Sequence, residues 1–163
     1  MDTPSSVVVR RATAADLPAV GQLGALLLRV HYEFDRDRFM RPGDGAEEGY
    51  AWFLGTQLNE EDALVLVAER DARIVGYLYA AIEPRNWKEL RDEAAFVHDV
   101  LVAEGHRNAG IAEALMTEAF AWARARALPR VMLWTATPNE RGRRLFDRLG
   151  FRSTMVEMTK ELT

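Results

Sequence analysis

The 163-residue chain has the length of one globular domain, and its 48% hydrophobic and 28% charged residues exclude a disordered protein. A net charge of −4 leaves no overall basic footprint for nucleic acid, and three widely spaced histidines argue against a histidine metal site. Cysteine is absent, which excludes a disulfide framework, a thiolate zinc site and a cysteine nucleophile.

No run approaches the ~18 apolar residues of a membrane span. The N-terminus, MDTPSSVVVRR, lacks the basic region and long apolar stretch of a signal peptide. The expectation is a soluble, cytoplasmic protein with no membrane or nucleic-acid partner.

Val7–Arg11 is a β-branched run that predicts a first or edge strand. From Leu17 to Val30 the residues Leu23, Leu26, Leu27 and Val30 recur at helical spacing, predicting a helix entered through Thr13–Asp16. The stretch HYEFDRDRFMRPGDGAEEG is broken by Pro42, Gly43 and Gly45 and predicts a loop, followed by a second helix from Glu47 to Asn59. ALVLVAER (63–70) and RIVGYLYAAI (73–82) predict strands joined by a tight hairpin at Asp71-Ala72. A polar segment then leads into the strand Ala94–Val102.

A long helix is expected from Asn108 to Ala127, with Ile111, Leu115, Ala119 and Trp122 along one face. Val131–Ala136 predicts another strand. Thr137-Pro-Asn-Glu140 predicts a helix start, with Thr137 as cap, Pro138 at the first position and Glu140 completing a capping box. That helix runs to Leu149 and ends at Gly150, and Arg152–Lys160 predicts a last strand. Without repeats, low-complexity tracts or linkers, the reading is one α/β domain over 7–163. It has a mixed sheet and the order β-α-α-β-β-β-α-β-α-β.

The bend GHRNAGIA (105–112) joins a strand to a helix start, which is the generic site for an anion. Gly105 and Gly110 have Walker A spacing, but Ile111 and Ala112 stand where a lysine and a hydroxyl are needed, so a nucleotide-hydrolase reading fails. GxGxxG fails as well, because Gly105-His106-Arg107 lacks the second glycine.

Arg107-Asn-Ala-Gly110-Ile-Ala112 matches the pattern Q/R-x-x-G-x-G/A, and LFDRLGF (145–151) matches LYxxLGF except at Phe146. With the element order over 7–163, these motifs resemble the GNAT acetyltransferase superfamily. The resemblance implies that fold, and acetyl-CoA as co-substrate with no metal. It implies pyrophosphate binding by backbone N–H groups of Asn108, Ala109, Gly110, Ile111 and Ala112. Arg107 would either touch phosphate or hold the loop, and Asn139 would contact the cofactor. The backbone of Val100, Leu101 and Val102 would pair with the pantetheine, next to a bulge that splays this strand from its neighbour.

His98 and Asp99 stand where some family members carry an acidic pair. Strict alternation puts Phe96, His98, Val100 and Val102 on one face and Val97, Asp99 and Leu101 on the other. His98 reads either as an interior histidine or as a base acting through water. Asp99 reads as a partner for a cation or for the substrate amine. Phe146 replaces the usual tyrosine general acid and reads as a packing ring, with Tyr77, Tyr79 or water as substitutes. Without a cysteine, transfer to the amine is expected to be direct, in a ternary complex.

The N-terminal helices would wall the acceptor side through residues 31–39, Tyr50, Trp52 and Phe53. Their acids and aromatics suit a small cationic amine such as a polyamine or aminoglycoside. A protein amine as acceptor, and a non-catalytic acetyl-CoA sensor, are the alternatives. Family members often dimerise, so the resemblance extends to a homodimer.

Overall fold

The computed structural model describes residues 6–162; residues 1–5, on which part of the leader reading rests, and Thr163 lie outside them. Along the described residues run β1 (Val8–Arg11), α1 (Leu17–Phe34), α2 (Ala46–Gln57), β2 (Ala63–Arg70) and β3 (Arg73–Glu83). They are followed by β4 (Ala94–Val102), α3 (Ile111–Ala125), β5 (Val131–Leu133) and α4 (Glu140–Arg148). The strands form one sheet in the order β1-β2-β3-β4-β5, antiparallel except for the parallel β4–β5 pair. This is the mixed α/β architecture that the residue pattern predicts.

Helices cover both faces of the sheet, which is why β2 reads as an unbroken apolar run rather than as an alternation. One face packs Leu64, Leu66, Leu78, Ala80 and Val97 against Leu115, Met116, Ala119 and Trp122 of α3. The other packs Val65, Val67, Tyr77 and Tyr79 against Val20 and Leu23 of α1 and Leu54 of α2. Asp71 and Ala72 take φ of 52° and 57°, the left-handed pair of a two-residue hairpin turn.

Four local expectations shift. α1 continues to Phe34 and stops at Asp35, whose carboxylate accepts the N–H groups of Asp37 and Arg38 and turns the chain out of the helix. α4 is capped by Asn139, not Thr137: its Oδ1 accepts the Gly142 N–H at 3.1 Å, so Pro138 precedes the helix. β5 stops at Leu133, three residues short of Ala136. The last strand, Arg152–Lys160, does not form, and the order ends β-α-β-α. Its apolar residues Met155, Val156 and Met158 do not alternate cleanly, and they stay exposed. Beyond Phe151 the segment is tied to the domain by Glu157, which pairs with Arg38.

The N-terminal edge of the sheet is fastened by charge. Both terminal nitrogens of Arg10 donate to Asp16, at 2.7 and 2.9 Å, and Glu69 of β2 accepts a third bond at 2.8 Å. Asp16 is 7% exposed, and its hydrogen bond from Arg10 is the main reason its pKa falls from 3.8 to about 2. A depressed carboxylate pKa stabilises the fold above the unfolded value and loses that contribution as pH falls from about 4 to about 2. Asp16→Asn is expected to cost about 1–2 kcal/mol in urea unfolding at pH 7, a difference that shrinks toward pH 2.

Candidate active site

The site grows from one irregularity in β4. Tyr79 of β3 stands opposite Asp99 and Ala80 opposite Val97, so His98 is an extra residue with no partner across the ladder. A bulge of one residue reverses the side-chain parity beyond it. Val97, Val100 and Val102 therefore share the α3 face, while Asp99 and Leu101 join His98 on the α1/α2 face. The strict alternation that separates His98 from Asp99 is corrected: the bulge sends both side chains into one cavity.

The same strand parts from its neighbour. β5 pairs only with Ala95, Phe96 and Val97, and from His98 onward that flank of β4 has no strand beside it among the described residues. The Ala103 N–H donates to Val75 O at 2.8 Å, so by alternation Leu101 faces β3, while Val100 and Val102 turn their backbone groups to the gap.

At the far end of the gap is the bend. Asn108 and Gly110 adopt φ of 62° and 72°, a left-handed geometry that asparagine tolerates and glycine favours. Among the described residues the N–H groups from Asn108 to Glu113 find no protein acceptor, and the first bond of the α3 start is Ala114 N–H to Gly110 O. A Cβ on Gly110 would meet nothing within 4 Å, so the bend is open on that side. A row of orphaned amides at a helix start fits a phosphate-bearing group. Arg107 ties the bend to the strand, its Nε donating to Val102 O at 3.3 Å.

The remaining residues expected at the cofactor have structural contacts of their own. Asn139 caps α4. Phe146 is buried and packs edge-on against Phe151, with ring centroids 5.8 Å apart.

On the opposite side of β4 lies a cavity of about 620 Å³. Tyr50 and Phe53 of α2, Tyr79 and Glu83 of β3, and His98 and Asp99 of β4 line it, with Met40 from the loop before α2. Tyr50 and Phe53 match the expected acceptor wall. Trp52 points away and is 74% exposed, and residues 31–39 do not line the cavity. Sequence reasoning missed Glu83 and Met40. Neither sits in a motif, and only the fold brings them to the cavity.

Asp99 is the most perturbed carboxylate here. Burial raises its pKa, opposed by the Tyr77 hydroxyl, which donates at 2.9 Å, and by the fields of His98 and His31. Burial and the nearby Asp99 push Tyr50 to about 12 and Tyr77 well above its ordinary value, so both remain protonated donors. Tyr79 donates to Gln57 Oε1 at 3.2 Å. His98 is partly exposed, stacks with Tyr79 and Phe96, and holds Glu83 at 2.8 Å.

Among the described residues no three His, Asp or Glu side chains cluster to hold a metal, and no helix is long and apolar enough to cross a membrane. Tyr77→Phe removes the donor to a buried carboxylate. It is expected to cost about 1–3 kcal/mol at pH 7 in chemical denaturation, and progressively less as pH falls through the carboxylate range, since burial raises the Asp99 pKa.

Comparison with known proteins adds to this geometry. The chain is 28% identical over 118 residues to the uncharacterized N-acetyltransferase YycN of Bacillus subtilis, spanning 72% of this chain and 66% of that one. A mutant of the BH1408 protein from Bacillus halodurans has the same fold, with a TM-score of 0.81 at 20% identity over 96% of this chain and 99% of that one. So has the aminoglycoside N-acetyltransferase AAC(6')-Iy in complex with CoA, with a TM-score of 0.77 at 14% identity over 99% and 98% of the two chains. Residues 27–151, which include the bulged strand, the bend and α4, match the acetyltransferase (GNAT) family, and the chain belongs to that family.

Proposed function

We propose that the protein moves the acetyl group of acetyl-CoA onto the primary amine of a small cationic acceptor, by direct attack in a ternary complex. The observation that carries this reading is the gap in the sheet beyond His98. It opens at one end on unpartnered amides and lies across β4 from a cavity of acids and aromatics. The neighbouring fold that binds CoA and acts on aminoglycosides supports both the donor and the acceptor class.

Acetyl-CoA supplies an acyl group already activated as a thioester. The amides from Asn108 to Ala112 cradle the pyrophosphate, Arg107 holds that bend in shape, and Val100 and Val102 present backbone groups to the pantetheine arm. In this reading Asn139 and Phe146 also contact the cofactor, beside their roles as the α4 cap and a packing ring. No metal takes part in this reading.

On the acceptor side, Asp99 holds the ammonium form of the amine at the cavity floor, and His98 takes its proton, directly or through one water. The neutral nitrogen forms a bond to the carbonyl carbon as the carbon–sulfur bond breaks, and CoA leaves as its thiolate. A freed amide of β4 faces the carbonyl oxygen as it gains charge. Phe146 has no proton to give. A thiolate leaves without one, and the second proton shed by the acylated nitrogen reaches it afterwards through water or the Tyr79 hydroxyl. The cavity volume of about 620 Å³ suits a compact amine rather than an extended chain.

The test is thiol release from acetyl-CoA across a panel of primary amines, with CoA affinity measured by calorimetry. Turnover on at least one small amine is expected. Gly110→Ala is expected to weaken CoA binding ~10-fold or more, since a Cβ would stand on the open side of the bend and strain the φ of 72°. A second reading, an acetyl-CoA sensor without catalysis, is favoured by the buried ring of Phe146 where the family commonly carries tyrosine. It predicts tight CoA binding and no turnover on any amine, unrescued by Phe146→Tyr.

Asp99→Asn separates function from stability. It is expected to lower kcat/KM by about 10²–10⁴-fold. It is also expected to raise Tm at pH 7, because burial raises the Asp99 pKa and so makes its ionised form costly in the fold. The Tm gain disappears as pH falls through the ordinary carboxylate range.

A further inference from the structure

Glu83 ends β3 and belongs to none of the motifs that mark the domain. Its Oε1 lies 2.8 Å from Nε2 of His98. The imidazole is also held by ring contacts: Tyr79 stacks at 5.3 Å and 24°, and Phe96 at 4.9 Å and 26°. Both members of the pair keep about a third of their side-chain exposure, at 34% each, so the contact lies at the cavity wall, open to a ligand. His98 is thereby fixed in position, ring plane and hydrogen-bond partner. A surface histidine with none of these restraints would sample several rotamers.

We propose that Glu83 is a positioning residue for His98, accepting the Nε2 hydrogen so that Nδ1 is the basic nitrogen presented to the acceptor amine. The proposal rests on the reading of His98 as the base. When the amine gives its proton to Nδ1, the positive charge on the ring sits 2.8 Å from a carboxylate, which stabilises the imidazolium without itself taking the proton. The proton then passes to water as the ring returns to its neutral form.

The bulge makes this pairing available. His98 has no residue opposite it on β3 and is free of the regular ladder, so its side chain leans along the strand toward Glu83 instead of standing over its cross-strand neighbour. The other titratable groups around it are Tyr79 of β3, Asp99 of β4 and Tyr50 of α2, with His31 of α1 acting on Asp99. Of these, Asp99 is bonded to Tyr77 and Tyr79 to Gln57, which leaves Glu83 as the carboxylate in contact with the ring.

Two variants of Glu83 separate charge from geometry. Glu83→Gln keeps an oxygen acceptor and removes the charge, whereas Glu83→Ala removes both. Followed by 15N NMR and assigned by comparison with His98→Ala, the neutral His98 ring is expected to carry its proton on Nε2, a preference that Glu83→Gln keeps and Glu83→Ala removes. Glu83→Ala is expected to lower kcat ~10–100-fold with the KM for acetyl-CoA unchanged. The double variant with His98→Ala is expected to lose no more than His98→Ala alone.

A neutral ring that carries its proton on Nδ1, or a tautomer unchanged in Glu83→Ala, overturns the proposal. So do additive losses in the double variant, and so does an effect of Glu83→Ala confined to the amine KM, which would make Glu83 a substrate contact. A fully active His98→Ala removes the base reading and the proposal together. An impaired His98→Ala beside an unimpaired Glu83→Ala removes the proposal alone.

Discussion

One inserted residue in β4 governs the arrangement of the site. Because His98 has no counterpart on β3, the strand keeps Val97, Val100 and Val102 in the α3 core while both polar side chains emerge on the other face. Without that insertion, strict alternation would drive either His98 or Asp99 into the packed face under α3, where an unpaired polar group costs about 1–3 kcal/mol. A bulge also adds local twist, and it is directly past this point that β4 loses contact with β5. Parity and parting thus have one cause. The apolar layer tolerates it because α3 still meets an uninterrupted set of valines.

The second governing feature is the burial of Asp99 among aromatic rings. Tyr77, fully enclosed, donates to it, while Tyr50 and Tyr79 feel its field. Such a carboxylate contributes little to folding. The charged form is opposed by desolvation and only partly recovered by one hydroxyl bond. Sites that hold a cation are often built this way, with the polar group kept at a cost that the surrounding core offsets. Here the offset comes from two extensive apolar layers, and from the Arg10–Asp16–Glu69 network at the opposite edge of the sheet.

Much of this was legible in the letters, for identifiable reasons. The central strands and the hairpin at Asp71-Ala72 announced themselves through dense apolar runs split by a two-residue break. The shape of the bend at 105–112 is legible because glycines at a strand end and before a helix start mark a tight turn. The C-terminal segment does not become a strand because β propensity says nothing about whether a neighbour is available, and β5 offers only three residues. The α4 start was placed at Thr137 because Thr137 and Asn139 are equally competent caps, and only the geometry chooses between them. The bulge left no composition signal in FVHDVLV, so the shared facing of His98 and Asp99 could not be read. Glu83 lay hidden for a related reason: its partner is 15 residues away, across a ladder whose register shifts in between.

The bend before α3 has a consequence for how such a protein can diverge. Its donors are main-chain N–H groups, so most side-chain replacements between Asn108 and Glu113 leave those donors in place, and only changes that upset φ at Asn108 or Gly110 reach them. The cavity across β4 is the reverse, since Tyr50, Phe53, Tyr79 and Glu83 act there entirely through side chains. Mutation therefore meets two surfaces of very different plasticity separated by one strand. Sequence drift can reshape the cavity one residue at a time while the row of backbone donors stays unaltered.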